Sequence, residues 1–268
     1  MTKLDVLYQV VIRLSKPPFL EDLVNVILSK QSLDSLRLES NPYARLELMK
    51  VLTANSYEAL DRELESILNQ EIREVESQLP GPYRGVAESL RELFSLEDVP
   101  SRIEAGELNP GKYAVCRGRD ISCYINIYTS SLLEAMSKTS EDPWSALSII
   151  AALLYGVYTR HVEGLKVLGL KPTYAGELGI LLSLVKGPGS VYLASTVEKI
   201  AQLSSLWARD PVEYFASEAR IVYEASKTSL YFKGGLLNIL THFFITRYYE
   251  SKLLRIIASK RIEHVVHP

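Results

Sequence analysis

Cysteine is nearly missing from this chain. Cys116 and Cys123 are too few for a disulfide scaffold, and there is no third cysteine to complete a zinc site with them. The four histidines, His161, His242, His264 and His267, are scattered, so no metal-ligating spacing emerges and no cofactor is expected. A reduced cytosolic compartment is the default for such cysteine usage. The opening Met1-Thr2-Lys3-Leu4-Asp5 lacks a secretory pattern, because Asp5 interrupts any apolar run. The strongly apolar run from Ala146 to Tyr158 falls short of the roughly 20 residues that a bilayer span requires, so no integral membrane segment is expected. Also missing are the HExxH pair, the phosphate loop, the dinucleotide fingerprint and the nucleophile elbow. Gly187-Pro188-Gly189 lacks the Lys-Ser/Thr of a phosphate loop and follows no strand, so it receives no nucleotide role. Nor is there an excess of either charge. Thirty basic and 32 acidic residues leave a net charge of −2, which offers no global reason to bind nucleic acid or an anionic membrane.

What is present is an ordinary folded composition, 47% hydrophobic and 23% charged, in 268 residues, enough for one large core or two smaller ones. Sixteen tyrosines against three methionines and two cysteines, with dense mixed charge, lean toward a thermophilic source. Helical periodicity dominates. It predicts helices over 4–14, 21–38, 43–53, 56–78, 83–96, 144–168, 174–185, 190–208 and 211–229, ending in one long helix from Gly234 to Arg261. Asn41-Pro42 and Asp210-Pro211 are start signals, with a capping side chain followed by proline at the first helical position. The acid-rich outer face of the 56–78 helix reads as solvated surface.

Residues 106–129 differ from the rest. Lys112 to Cys116 and Ile121 to Tyr128 are rich in β-branched and aromatic types and flank the turn-like Arg117-Gly118-Arg119-Asp120. This predicts a small β-hairpin over 112–128 within an otherwise all-α, multi-helix bundle. Region 106–130 would then be a hairpin or crossover between helical regions 1–105 and 131–268, unless the whole forms one continuous domain. Across such a hairpin Cys116 and Cys123 could approach, although only Arg117 and Arg119 are placed to lower a thiol pKa. The carboxylate pairs Glu97-Asp98 and Glu141-Asp142 sit at helix ends, where caps and solvated charges are the usual explanation. His161 reads as a hydrogen-bonded structural histidine.

In the last helix Ile239, Phe243, Thr246, Glu250, Leu253 and Ile257 share one face, widened by Leu236, Leu240, Phe244 and Leu254. Glu250 is the exception in that face, and Arg247 lies three residues before it, within reach as an ion-pair partner. The same Thr-Arg-x-x-Glu recurs at Thr159-Arg160-His161-Val162-Glu163, which predicts a second pair, Arg160 with Glu163, and repeated helical units.

Glu250 followed by Leu254-Arg255-Ile256-Ile257-Ala258-Ser259-Lys260 resembles the C-terminal segment of the central-stalk C subunit of the archaeal and bacterial rotary A/V-type ATPases, a family related to the d subunit of the vacuolar central stalk. Val51-Leu52-Thr53-Ala54-Asn55-Ser56-Tyr57 resembles that family's Leu-x-x-Thr-x-Tyr element. The 68–98 segment follows the family's order of charged helix, proline and apolar-basic helix. The resemblance implies a non-enzymatic socket that sits on the membrane rotor ring and receives the shaft subunits. Its partners would be other rotary ATPase subunits, and its place cytoplasmic, peripheral on the membrane through the complex. It transfers no catalytic, cofactor or metal residue.

A reading from another class makes the chain a helical nucleic-acid-binding or adaptor protein. It would use Arg117 and Arg119 of the hairpin and Lys252, Arg255, Lys260 and Arg261 of the last helix as phosphate contacts. A third reading is an α-helical enzyme whose site assembles from dispersed residues.

Overall fold

Every side chain from Leu240 to Glu250 is buried, so the last helix has no wet face over three turns. A helix buried all round needs neighbours on every side, and the rest of the chain supplies them. The computed structural model describes residues 3–31, 33–116, 118, 121–167 and 190–266. In order, its helices are α1 (Lys3–Leu14), α2 (Leu20–Leu28), α3 (Leu48–Leu52), α4 (Tyr57–Glu76), α5 (Gly81–Glu92), α6 (Val99–Glu104), α7 (Ile121–Ser137), α8 (Trp144–Val167), α9 (Ser190–Gln202), α10 (Ser204–Trp207), α11 (Pro211–Lys233) and α12 (Gly235–Val266). Helices α1, α2, α3, α4, α5, α8 and α11 all pack on α12. One cluster of buried apolar side chains runs from Val6 in α1 to Ala258 in α12. The fold is an all-α bundle, and no described helix is long and apolar enough to cross a membrane.

Local signals place many of the boundaries. Ser56 caps α4 by accepting from the Ala59 N–H at 3.2 Å. Asp210 caps α11 by accepting from Val212 and Glu213 N–H groups at 3.1 and 2.9 Å, with Pro211 in the first turn. Between α11 and α12 the chain turns through Gly234 and Gly235, whose φ values of 59° and 83° lie in the left-handed region. The helix expected over 21–38 stops at Leu28 instead. The Gln31 N–H returns to the Val26 carbonyl, and Lys30 takes φ 51°, which closes the helix before a 3-10 turn at Leu33–Leu36. After Asn41 the chain forms turns rather than a helix, with the Asn41 side chain accepting from the Tyr43 N–H, and helix resumes only at α3. The 174–185 helix lies outside the described residues, as does Gly187-Pro188-Gly189.

The hairpin over 112–128 is not formed, and no strand occurs among the described residues. Gly111–Tyr113 is a 3-10 turn, and Ile121 opens the 17-residue helix α7. The physical reason is burial. Ile121, Tyr124, Ile125, Tyr128, Leu132 and Met136 recur at spacings of three and four and are all buried, where α5 and α8 pack against α7. Each such side chain contributes roughly 1.5–3 kcal/mol when fully buried. Strand propensity differences are about 1 kcal/mol and depend on context, so tertiary packing wins. The Cα atoms of Cys116 and Cys123 lie 5.7 Å apart, and the two form a disulfide. The expectation of reduced thiols is corrected by that bridge.

Candidate functional site

The buried charges collect in two clusters on roughly opposite sides of α12. In the first, Arg45, Glu71, Arg247 and Glu250 close a ring. Arg45 bonds Glu250 through Nη1 and lies 2.9 Å from Glu71 through Nη2. Arg247 returns to Glu250 at 2.8 Å through Nη1 and contacts Glu71 at 2.6 Å through Nε. That last contact is a charge contact, since its N–H is poorly aligned for a hydrogen bond. Arg247 Nη2 also donates to the Arg13 carbonyl at the end of α1, at 2.9 Å. The side chains of Arg45, Arg247 and Glu250 are 3–4% exposed and that of Glu71 is 13% exposed. Burial opposes the charge on Arg45, but the carboxylates of Glu250 and Glu71 outweigh it and hold the guanidinium above its ordinary range.

The second cluster is centred on Arg160 of α8. Its Nη1 bonds both carboxylate oxygens of Glu218 on α11. Its Nη2 bonds Glu97 and meets the Tyr248 hydroxyl at 3.0 Å. Tyr249 donates to Glu218 at 2.8 Å, and Lys252 holds the other oxygen of Glu97 at 3.0 Å. Glu218 is wholly buried and fits only because residue 156 is glycine. A Cβ there would run into the Glu218 carboxylate. Burial pushes the Glu218 carboxyl up from its ordinary range, against the pull of Arg160 and Tyr249. Glu97 is also driven up by burial, but Arg160 and Lys252 together bring it down to about 2. A cavity of about 250 Å³ reaches this cluster, lined by Glu97, Ile121, Val157, Arg160, His161 and Trp207. A second, of about 210 Å³, lies between α2 and α11 beside Arg220 and Tyr223. Both fall below the usual range for ligand pockets. The Arg160 groups that would meet a ligand are already bonded to Glu97, Glu218 and Tyr248.

Two further buried polar contacts complete the picture. Glu141 accepts from the Leu236 and Leu237 N–H groups at 3.1 and 3.0 Å and from the Tyr83 hydroxyl at 2.9 Å, so it caps α12 from a distant loop. Ser226 lies 2.8 Å from Nδ1 of His242, whose pKa burial lowers to about 4, assisted by the charges of Lys227 and Arg247. Both residues are buried, at 2% and 6% exposed, which leaves a substrate no access to the pair.

The structure brings Arg247 and Glu250 together and keeps Arg160 apart from Glu163. Arg160 points inward to Glu218 and Glu97, while Glu163, nearer the surface, pairs with Lys166 at 2.6 Å. The motif is shared, but only on α12 does the glutamate share the arginine's buried face. Of the basic residues considered for nucleic acid, Lys252 is held by Glu97, and Arg255 lies 2.8 Å from Asp61. Lys260 is exposed. Arg117, Arg119 and the side chain of Arg261 lie outside the described residues. Sequence reasoning missed Arg45 and Glu218, placed Glu71 on the solvated outer face of the 56–78 helix where it is in fact 13% exposed, and read Glu97 and Glu141 as caps or solvated charges. Glu97 and Glu141 stand in carboxylate pairs at helix ends, and Glu218 sits one turn from the buried Tyr214, Phe215 and Val222, an acidic residue among apolar neighbours. No cluster that could hold a metal occurs among the described residues. Compared with protein-family models, curated proteins and solved structures, the chain matches none of them.

Proposed function

We propose that this chain is a non-catalytic structural component of the central stalk of a rotary A/V-type ATPase, coupling a membrane rotor ring to the shaft. The observation that carries this reading is the buried ring of Arg45, Glu71, Arg247 and Glu250. It fastens the segment before α3 and helix α4 to the stretch of α12 that is buried on all sides. A part that passes torque must resist bending, and closely packed helices cross-linked by buried, paired charges have that stiffness. The C-terminal segment around Glu250 and Leu254 to Lys260, which resembles the stalk family, is the same segment that builds the ring. Arg160 and Arg247, each on a long core helix and each held by a carboxylate from another helix, Glu218 and Glu71, support a body of repeated helical units. Its partners would be rotor-ring and shaft subunits, at the cytoplasmic face of the membrane.

The test is native co-purification of the tagged chain from cells of its source. Recovery with rotor-ring and shaft subunits is the expected result. Recovery with RNA, in a salt-dependent manner, would overturn it in favour of the basic residues at the end of α12.

A further inference from the structure

The segment 106–116 crosses the surface between α6 and α7, with Leu108, Tyr113 and Cys116 turned onto the core. Gly106, Glu107, Asn109, Gly111, Lys112, Ala114 and Val115 are all exposed. At its start the Glu107 and Leu108 N–H groups donate to the Arg102 carbonyl at 2.9 and 3.2 Å. In its middle, Tyr113 is buried against the Tyr124 ring at a centroid distance of 5.4 Å. The Tyr113 hydroxyl reaches Glu92 at 3.3 Å, and Lys112 pairs with the same carboxylate at 2.5 Å. The covalent anchor is at its end, where Cys116 is joined to Cys123 in the first turn of α7. Both cysteines are partly exposed. A largely exposed segment anchored at three side chains opens at lower free-energy cost than the core helices, and a cross-link at its end adds directly to that cost.

We propose that the Cys116–Cys123 disulfide is a redox-sensitive clasp that keeps segment 106–116 docked over Tyr113, Tyr124 and α7, and that its reduction releases that segment while the helical body stays folded. The reductant is a dithiol. Its thiolate attacks Sγ of Cys116, the Cys116–Cys123 bond breaks, and Cys123 departs as a thiolate favoured by its place in the first turn of α7. The second thiol of the reductant then attacks the mixed disulfide and releases Cys116. Two electrons pass from the dithiol, which closes to its own disulfide, and its two protons end on Cys116 and Cys123. The released state exposes the aromatic surface of Tyr113 and Tyr124.

The experiment is amide hydrogen exchange on the full chain, untreated, treated with dithiothreitol, and re-oxidised after removal of the reductant. Exchange across residues 108–116 is expected to accelerate at least about tenfold on reduction and to recover on re-oxidation, with α8, α11 and α12 unchanged. Cys116→Ser and Cys123→Ser, prepared separately so that one folding failure does not remove the test, should match the reduced state without reductant. Equal exchange in the oxidised and reduced chains would overturn the proposal. So would acceleration of α8, α11 and α12 to the same degree as 108–116, which would make the bridge a support of the whole fold. Two alkylatable thiols in the untreated chain would overturn it as well.

Discussion

Helix α12 carries two clusters of four charges, each with two cations and two carboxylates, and they differ in how they meet water. The ring of Arg45, Glu71, Arg247 and Glu250 is closed. Three of its members are 3–4% exposed, and each carboxylate lies between two guanidinium groups. The cluster at Arg160 is graded. It begins at wholly buried Glu218 and ends at Glu97 and Lys252, whose side chains are 25% and 21% exposed. Burying an ion costs several kcal/mol before its partner recovers any of it. The closed ring offsets that cost by mutual pairing and the Arg13 carbonyl, whereas the graded cluster lets water carry part of it at Glu97 and Lys252. Closure suits fastening elements distant in sequence, and grading suits a helix that must both anchor in the core and reach the surface.

Substitutions separate the two. Glu250→Ala should have the largest effect, because it leaves Arg45 and Arg247 buried with only Glu71 between them. A loss near the top of the about 3–5 kcal/mol range for broken buried pairs is expected in chemical denaturation. An unchanged unfolding midpoint would mean the ring is not closed in solution. Glu218→Ala should cost less, near about 3 kcal/mol, since Glu97 and the Tyr248 hydroxyl still face Arg160. Should it prove more costly than Glu250→Ala, the grading argument is reversed.

Acid sharpens the same contrast through Glu97. Its folded pKa of about 2 lies below its ordinary 4.5, so the folded state favours the ionised form. The resulting stability is fully present above about pH 4.5 and is lost as pH falls toward about 2, amounting to about 3 kcal/mol. Glu97→Gln should remove that dependence between pH 4.5 and 2, and a stability profile of the same slope in both proteins would exclude Glu97 as its source. The smallest effect belongs to Arg255→Ala. The Arg255–Asp61 pair is half exposed on both sides and should change stability by under about 0.5 kcal/mol. A loss as large as that of Glu218→Ala would show that exposure is not what distinguishes these pairs.

Much of the bundle could be read in advance. Asp210 and Pro211 mark a helix start by satisfying or omitting amide hydrogens locally, whereas Asn41-Pro42 opened only turns, and the Arg247–Glu250 contact follows from a three-residue step on one helix. Residues 112–128 went the other way. Their β-branched and aromatic types suggested strands, while the three-and-four spacing of Ile121, Tyr124, Ile125, Tyr128 and Leu132 already described the buried face of α7. Spacing was the better guide, because burial on α5 and α8 outweighs propensity. The partners of Arg160 were out of reach. Glu97 and Glu218 stand 63 and 58 residues away, and although an acid among apolar neighbours marks Glu218 as unusual, nothing local ties either to Arg160 rather than Glu163, the nearer carboxylate.

By itself the sequence determined the helical class, the Asp210-Pro211 cap, and the ion pair within one turn of α12, since each depends on groups a few residues apart. Only the tertiary structure decided which carboxylates meet Arg160 and Arg45, that Glu141 caps α12, and that Cys116 joins Cys123. Those contacts depend on where whole helices pack, and packing is settled by the burial of the entire chain rather than by any local stretch of it.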